Sequence, residues 1–300
     1  MSCDVPRDTT RNKSNNMIYK TRKSITCNDV YQDNRDAFVN LKNCKELADF
    51  LQKKALTHAH LYHLTTMDKF AKMCRSNEWR FSSVLEMNDL QEVKQKGEKE
   101  KMRRLYAVSF SHGDYNNIGM WKMYGGSYPR ESICLEFPST IINRWKDEIN
   151  LRRSFGIKKE YTDTLDIDVS LHDIAYIHGW QRRNGERVCW GNVVNYRMTK
   201  DTIVSKESVL TGFVKNSAWE QEKESRITIE LPLTRRRKYI SVPIPSYLLD
   251  CCVVHFSPFA NARKDVLIQL LRIYFSINKA DWPANFAKRC KTSYFRKLIQ

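Results

Sequence analysis

Trp219-Glu220-Gln221-Glu222-Lys223-Glu224-Ser225-Arg226-Ile227-Thr228-Ile229-Glu230-Leu231 runs from a charge-dense head into an apolar tail. The tail alternates with a period of two, so it predicts a strand over 224–231. If the strand began at the head, Glu220, Glu222, Glu224 and Arg226 would share one face, because strand side chains alternate. Carboxylates held side by side repel when both are ionised, and one of them takes up a proton more readily. Arg226 offsets that repulsion. Fixed carboxylates of this kind orient hydroxyls and stabilise a cationic, oxocarbenium-like carbon. The competing reading is a solvated edge strand with polar alternation and no ligand.

Working outward, strands are also expected at 60–64, 79–82, 105–110, 132–137, 172–177, 237–243 and 251–256. Helices are expected at 36–55, after Thr65 or Thr66 as N-cap, at 139–149, at 201–215 and at 261–272. Met120 to Tyr124 reads as one helical turn after the Asn116-Asn117-Ile118-Gly119 turn, and the charge run 93–104 as a surface loop or exposed helix. No regular βαβ alternation and no glycine-rich phosphate loop occurs. The pattern is that of an α+β protein rather than a doubly wound sheet. Residues 1–35 are polar and basic and read as a flexible arm; residues 36–300 read as a single domain.

The formal net charge is +17 over 300 residues. That excess repels itself in a compact state and attracts phosphates. Basic runs stand at Arg152-Arg153 and Arg235-Arg236-Arg237-Lys238. A nucleic-acid partner, RNA or DNA, is therefore expected, with no membrane segment and no secretory signal. The nine cysteines form no Cys-x-x-Cys pair and several sit in apolar stretches. Reduced, buried thiols of a cytoplasmic protein are expected, not a disulfide framework.

Two more segments offer chemistry. In Tyr62-His63-Leu64-Thr65, His63 and Thr65 fall on one strand face just before a helix, suited to the ribose and amide of a dinucleotide, or simply to a satisfied strand edge. Trp121 and Tyr124 lie three apart on a helical turn, so they are neighbours and suit either a wall for a flat ring or core packing. No metal site is expected. His58-x-His60-x-x-His63 has no carboxylate or cysteine nearby in sequence to complete a ligand set, and no His-Glu-x-x-His occurs. No Gly-x-Ser-x-Gly elbow is present.

Taken in order, Tyr62-His63-x-Thr65, Met87-Asn88-Asp89-Leu90-Gln91-Glu92, Phe110-Ser111, Met120-Trp121-x-x-Tyr124, Glu136-Phe137 and Trp219-x-x-Glu222-x-Glu224-x-Arg226 resemble domain-of-unknown-function family 2971. The chain departs from that pattern at Leu90, where proline is usual, at Glu131-Ser132, where a basic residue and glycine are usual, and at Ser257, where glycine is usual. The family resembles ADP-ribosyltransferases. The resemblance implies split mixed β-sheets with flanking helices clamping NAD as substrate. It implies that His63 binds the adenosine ribose or the nicotinamide amide, that Tyr124 or Trp121 stacks near nicotinamide, and that Glu224 or Glu222 holds the ribose hydroxyl. Thr65 belongs to the same first motif. Asn88, Asp89 and Arg226 would shape the site or grip phosphates. It further implies a toxin of antiviral defence, held by a neutralising antitoxin; the basic arm and basic runs point to nucleic acid as what it modifies, RNA in the first instance. The alternatives are a non-catalytic nucleic-acid-binding module and an NAD glycohydrolase that uses the same site.

Overall fold

The computed structural model describes residues 44–87, 99–125, 129–151, 167–177, 180–183, 186–189, 212–231 and 237–292. The expected N-terminal arm, Asn88, Asp89, Arg152-Arg153 and residues 232–236 lie outside them. In chain order the elements are α1 (Cys44–Ala55), β1 (His60–Thr66), α2 (Met67–Ser76), β2 (Glu78–Ser83), α3 (Lys99–Arg104), β3 (Leu105–Ser111), α4 (Ile118–Tyr124), β4 (Ser132–Pro138), α5 (Ser139–Leu151), β5 (Asp168–Asp173) and β6 (Ala175–Ile177). There follow β7 (Trp180–Arg183), β8 (Glu186–Cys189), β9 (Val214–Asn216), β10 (Glu224–Glu230), β11 (Tyr239–Pro243), α6 (Ser246–Cys251), β12 (Val253–Phe256), α7 (Lys264–Ile277), α8 (Phe286–Arg289) and β13 (Cys290–Thr292). The fold is α+β: a mixed sheet with flanking helices.

Local chemistry sets the starts of two helices. Thr66 caps α2 by accepting from the Lys69 N–H at 3.3 Å. Asn117 caps α4 by accepting from the Met120 N–H at 3.3 Å. Each satisfies a donor that the first helical turn leaves open. The helix expected over 201–215 is corrected at its end. Val214–Asn216 is a short strand parallel to β6, and residues 201–211 lie outside the described set. Pairing with β6 outweighs local propensity there.

The main sheet runs β11-β2-β3-β1-β4-β12-β13, with β10 and then β5 joined to β3. Its pairs are antiparallel except β12 with β13. β3 is the branch point. β10 follows one edge of it from Ser111 to Leu105. The other edge is shared: β1 meets it only at Ser111, through Tyr62, and β2 only at Ala107 and Tyr106. Between those contacts β1 and β2 part, and the sheet is forked.

The register sorts the side chains. One face carries Leu61, Trp79, Phe81, Tyr106, Val108, Phe110, Leu135, Phe137, Ile227, Ile229 and Val254, all buried. The opposite face carries Tyr62, Arg80, Ser82, Ser109, Ser111, Glu136, Glu224, Arg226 and His255, which the alternation of each strand requires. Helix α5 closes the apolar face. The Trp145 ring lies 5.5 Å from Trp79 and 5.7 Å from Phe81, and its Nε1–H donates to the Pro243 carbonyl at 3.0 Å. Among the described residues no helix is long and apolar enough to cross a membrane.

Trp145→Ala removes that lid and leaves the Pro243 carbonyl without its donor. The expected cost is about 3–5 kcal/mol, the range for emptying a buried aromatic site. The midpoint of urea unfolding measures it, and a change below about 1 kcal/mol would place the core elsewhere.

Candidate active site at the sheet fork

A cavity of about 260 Å³ opens at the fork. Its walls come from β1 (Tyr62, His63, Leu64), β2 (Arg80, Ser82), the turn after β2 (Glu86, Met87), β3 (Ala107 to Ser111), α4 (Met120, Tyr124) and the segment around β10 (Lys215, Glu222, Glu224, Arg226). Residues of both sheet faces line it. His63, Val108 and Phe110 belong to the apolar face by register, so the cavity reaches down between the parted strands.

The charged wall is built from two directions. Glu224 and Arg226 stand two apart on β10, as strand alternation requires. Arg226 is fully buried and grips Glu224 with two bonds, Nε to Oε1 at 2.6 Å and Nη2 to Oε2 at 3.1 Å. The remaining guanidinium nitrogen donates to the Gly212 carbonyl at 3.3 Å. Glu222 does not extend the strand. It ends a 3-10 turn over Ser217–Glu222, after which Lys223 takes a left-handed φ of 42°. That conformation costs a non-glycine residue about 1 kcal/mol or more, so the surroundings must impose it. They do: Ser111 Oγ donates to the Glu222 carbonyl at 2.7 Å, the Lys223 carbonyl accepts from the His112 N–H at 2.8 Å, and Asn117 Nδ2 donates to the Gln221 carbonyl at 3.3 Å. The turn folds Glu222 back toward Glu224. Glu220, expected on the same face, is exposed outside the cavity, because the strand starts only at Glu224.

Lys215 joins the two carboxylates. Its ammonium lies 2.6 Å from Glu222 Oε2 and 2.8 Å from Glu224 Oε2, and it is 7% exposed. The Tyr124 hydroxyl donates to Glu222 Oε1 in a short hydrogen bond. Two negative and two positive side chains thus neutralise one another in a site closed to bulk water, the condition under which buried charge is tolerated. The two glutamates are not alike. Burial by itself would lift the Glu224 carboxyl, but Arg226 and Lys215 together hold it well below the usual carboxylate range. Glu222 is raised by burial, against the pull of Lys215 and with a push from Glu224. Glu224 is a permanent anion locked to Arg226. Glu222 is the more weakly held carboxylate at the cavity wall.

His63 lies on the apolar face, its ring 5.0 Å from Trp79 and 5.9 Å from Phe110. Nδ1 is 2.8 Å from the Ser109 carbonyl, which can only accept, so Nδ1 carries the proton and Nε2 the lone pair. The imidazole replaces a backbone ladder bond where β1 leaves β3. Burial depresses its pKa from 6.5 to about 4, so the ring is neutral at pH 7. Tyr62 stays protonated, its phenol raised to about 12 by burial and by Glu136.

The structure brings together His63, Tyr124, Glu222, Glu224 and Arg226 around one cavity. It does not bring Thr65 there. Thr65 shares the face of His63, as expected, but that is the core face; it is 8% exposed and stands beside Ile133 in the β1–β4 ladder. Trp121 is fully buried and donates through Nε1 to the Tyr115 carbonyl at 2.7 Å; it holds α4 in place and is not a cavity wall. Gly125, just past Tyr124, has no room for a side chain: an added Cβ would stand 2.4 Å from Ser132 Oγ and from the Trp121 carbonyl. Tyr62 belongs to the first sequence motif but had no role assigned from it, and Lys215 and Arg80 were not singled out by sequence. Lys215 falls where a helix is expected, and nothing in its neighbourhood marks it.

No protein-family model and no curated protein sequence matches the chain. Comparison with solved structures aligns it with DarT from Thermus sp. 2.9 in complex with NAD+, at 10% identity over 79% of this chain and 96% of that one, with a TM-score of 0.33. A likeness at that level assigns no residue and no activity.

Two outcomes are expected from the electrostatics. Lys215→Met leaves Glu222 and Glu224 facing each other with one cation fewer. It should lower stability by about 3–5 kcal/mol, the cost of breaking a buried ion pair, whereas exchange of the exposed Lys72 for Met should change it by less than about 1 kcal/mol. Acidification should also destabilise the fold. His63 and the fully buried His172 are held neutral, at about 4 and about 3 against an ordinary 6.5. Below pH 6.5 the unfolded chain binds protons that the folded chain refuses, so stability is complete above 6.5 and falls toward pH 4. Unfolding free energy measured across that window should have a smaller slope in His63→Gln, and an unchanged slope would show that His63 is already charged in the folded protein.

Proposed function

We propose that the protein is an NAD-dependent ADP-ribosyltransferase whose reaction takes place in the cavity at the fork. The observation that carries this reading is the pair of buried carboxylates on the cavity wall, one locked by Arg226 and one held more loosely by Lys215 and Tyr124. Loss of nicotinamide from NAD builds positive charge on the ribose carbon, and a preorganised anion in a water-poor pocket stabilises that charge far better than one in water. Glu222 suits this role. Each of its oxygens has one donor and keeps a further lone pair for a ribose hydroxyl. Glu224 sets the position of Lys215, and through it of Glu222. His63 presents a neutral, accepting Nε2, suited to an amide or hydroxyl donor of the dinucleotide. Tyr124 or Tyr62 offers a ring beside nicotinamide, and Arg80 a cation for the pyrophosphate.

Nucleic acid is the acceptor this reading favours, RNA before DNA, because the net charge of +17 draws polyphosphate chains to the protein. A defence toxin with a neutralising partner is the biological setting proposed for such a modification, in the cytoplasm where NAD and nucleic acid meet.

Incubation of the purified protein with NAD labelled in the adenine half, and with RNA, DNA and cell protein in turn, should place covalent label on RNA. Glu222→Gln should reduce transfer about 10²–10³-fold, the scale for losing one electrostatic stabiliser, while the exposed Glu220→Gln retains full activity. Label appearing only as free ADP-ribose would make the protein a glycohydrolase. Retention of NAD, with RNA still bound in a salt-dependent way, would make it a binding module. Full activity in Glu222→Gln would remove that carboxylate from the mechanism.

A further inference from the structure

On the other side of the Glu222–Glu224 turn from the cavity, three donor groups converge from distant parts of the chain. Among the described residues, His58, His112 and Asp173 bring ligand atoms within 4.8 Å of one another. His58 precedes β1, His112 follows β3, and Asp173 ends β5. In the sequence, His58-x-His60-x-x-His63 was weighed as a ligand set and set aside, since no carboxylate or cysteine nearby completes it. The carboxylate arrives through the sheet: β10 pairs Glu224 with Ser111 on one side and Ser225 with Asp173 on the other, which sets Asp173 beside His112.

We propose that His58, His112 and Asp173 form a binding site for a divalent transition-metal ion of the zinc class, distinct from the cavity and independent of the ADP-ribosyl transfer reading. Two imidazoles and one carboxylate with a position left for water form a donor set that such ions take. The spacing is suitable. Two ligands of one tetrahedral ion at about 2.1 Å stand about 3.4 Å apart. His58 Nε2 is 2.7 Å from Asp173 Oδ2 and His112 Nδ1 is 3.6 Å from Asp173 Oδ1, which bracket that value. The two rings are stacked, 4.1 Å between centroids and 6° from parallel. Binding requires each to turn about its Cβ–Cγ bond so that both lone pairs meet at one ion.

The surroundings are built for a fixed ligand set. The Asp173 side chain is 2% exposed, and a buried carboxylate calls for a cation or a metal. Fully buried Ser225 donates to Asp173 Oδ1 at 2.6 Å, the outer-shell bond that orients a ligating carboxylate. The backbones are pinned: Ser139 Oγ donates to the His58 carbonyl in a short bond, and the His112 N–H donates to the Lys223 carbonyl at 2.8 Å. The two imidazoles are each 14% exposed, so solvent and ion reach the site. A bound ion would tie the entry of β1 and the ends of β3 and β5 to the turn that presents Glu222. Its role is that of a clamp behind the cavity.

The test uses the full chain, stripped with a chelator and titrated with Zn²⁺ and then Co²⁺. One equivalent of Zn²⁺ is expected to raise the melting temperature. Co²⁺ should give weak visible bands of a nitrogen and oxygen site, without the intense near-ultraviolet bands of thiolate ligation. Asp173→Asn keeps the shape and the Ser225 contact; it should weaken Zn²⁺ binding more than about 100-fold, beyond what loss of an outer partner costs. His58→Gln, at the partly exposed edge, provides the same reading should Asp173→Asn not fold. Absence of stoichiometric uptake, equal affinity in the folded variants, or thiolate bands from the cysteines would each overturn the assignment.

Discussion

Burying the Glu224 carboxylate demands matching positive charge, and the structure around the fork is arranged to supply it. Arg226 reaches it from the same strand with two parallel bonds, and Lys215 reaches it from β9. That demand brings β9, β10 and the turn between them to one point. The short strand β9 must lie close enough for Lys215, and the turn before β10 must fold Glu222 back to share the same ammonium. The Glu224 N–H in turn donates to the Tyr176 hydroxyl at 2.9 Å, which ties the network to β6. A buried ion cluster is a poor source of net stability, but removing one member is costly. The cluster therefore fixes geometry more than it adds stability.

The fork in the sheet is the second half of the arrangement. Had β1 and β2 both followed β3 along its whole edge, the face carrying Ser109 and Ser111 would be a continuous polar surface without depth. Their divergence opens a cleft whose floor is apolar and whose wall is ionic. His63 closes the seam by bonding the Ser109 carbonyl in place of a backbone donor. The same residue thus satisfies the sheet and offers a lone pair to the cavity.

How much of this was legible in sequence depended on distance along the chain. The alternation of Glu224, Arg226, Thr228 and Glu230 against Ser225, Ile227 and Ile229 has a period of two, so β10 and its two faces could be read directly. The helical turn of Tyr124 was equally local, and of the two candidate caps, Thr65 and Thr66, it is Thr66 that caps α2. Glu222 was expected on the strand face and comes there by a turn instead, since Lys223 adopts a left-handed conformation that no local pattern announces. Lys215 was invisible because its partners are set by pairing between β6 and β9. His58 with Asp173 was invisible because only sheet register brings residues 115 positions apart into contact. Face assignment was the recurrent gap. Periodicity tells that His63 and Thr65 share a face, and only packing against Trp79 and Phe110 tells that it is the core face.

The proposed function requires that NAD bind in the cavity at the fork. Calorimetric titration with a hydrolysis-resistant NAD analogue, comparing the wild-type chain with Ser82→Trp, tests it: Ser82 lines the cavity from β2, with β3 between it and the ion network on β10. One binding site per chain is expected in the wild type and none in the plugged variant. Absence of binding to the wild type, or equal affinity in the folded Ser82→Trp variant, would contradict it.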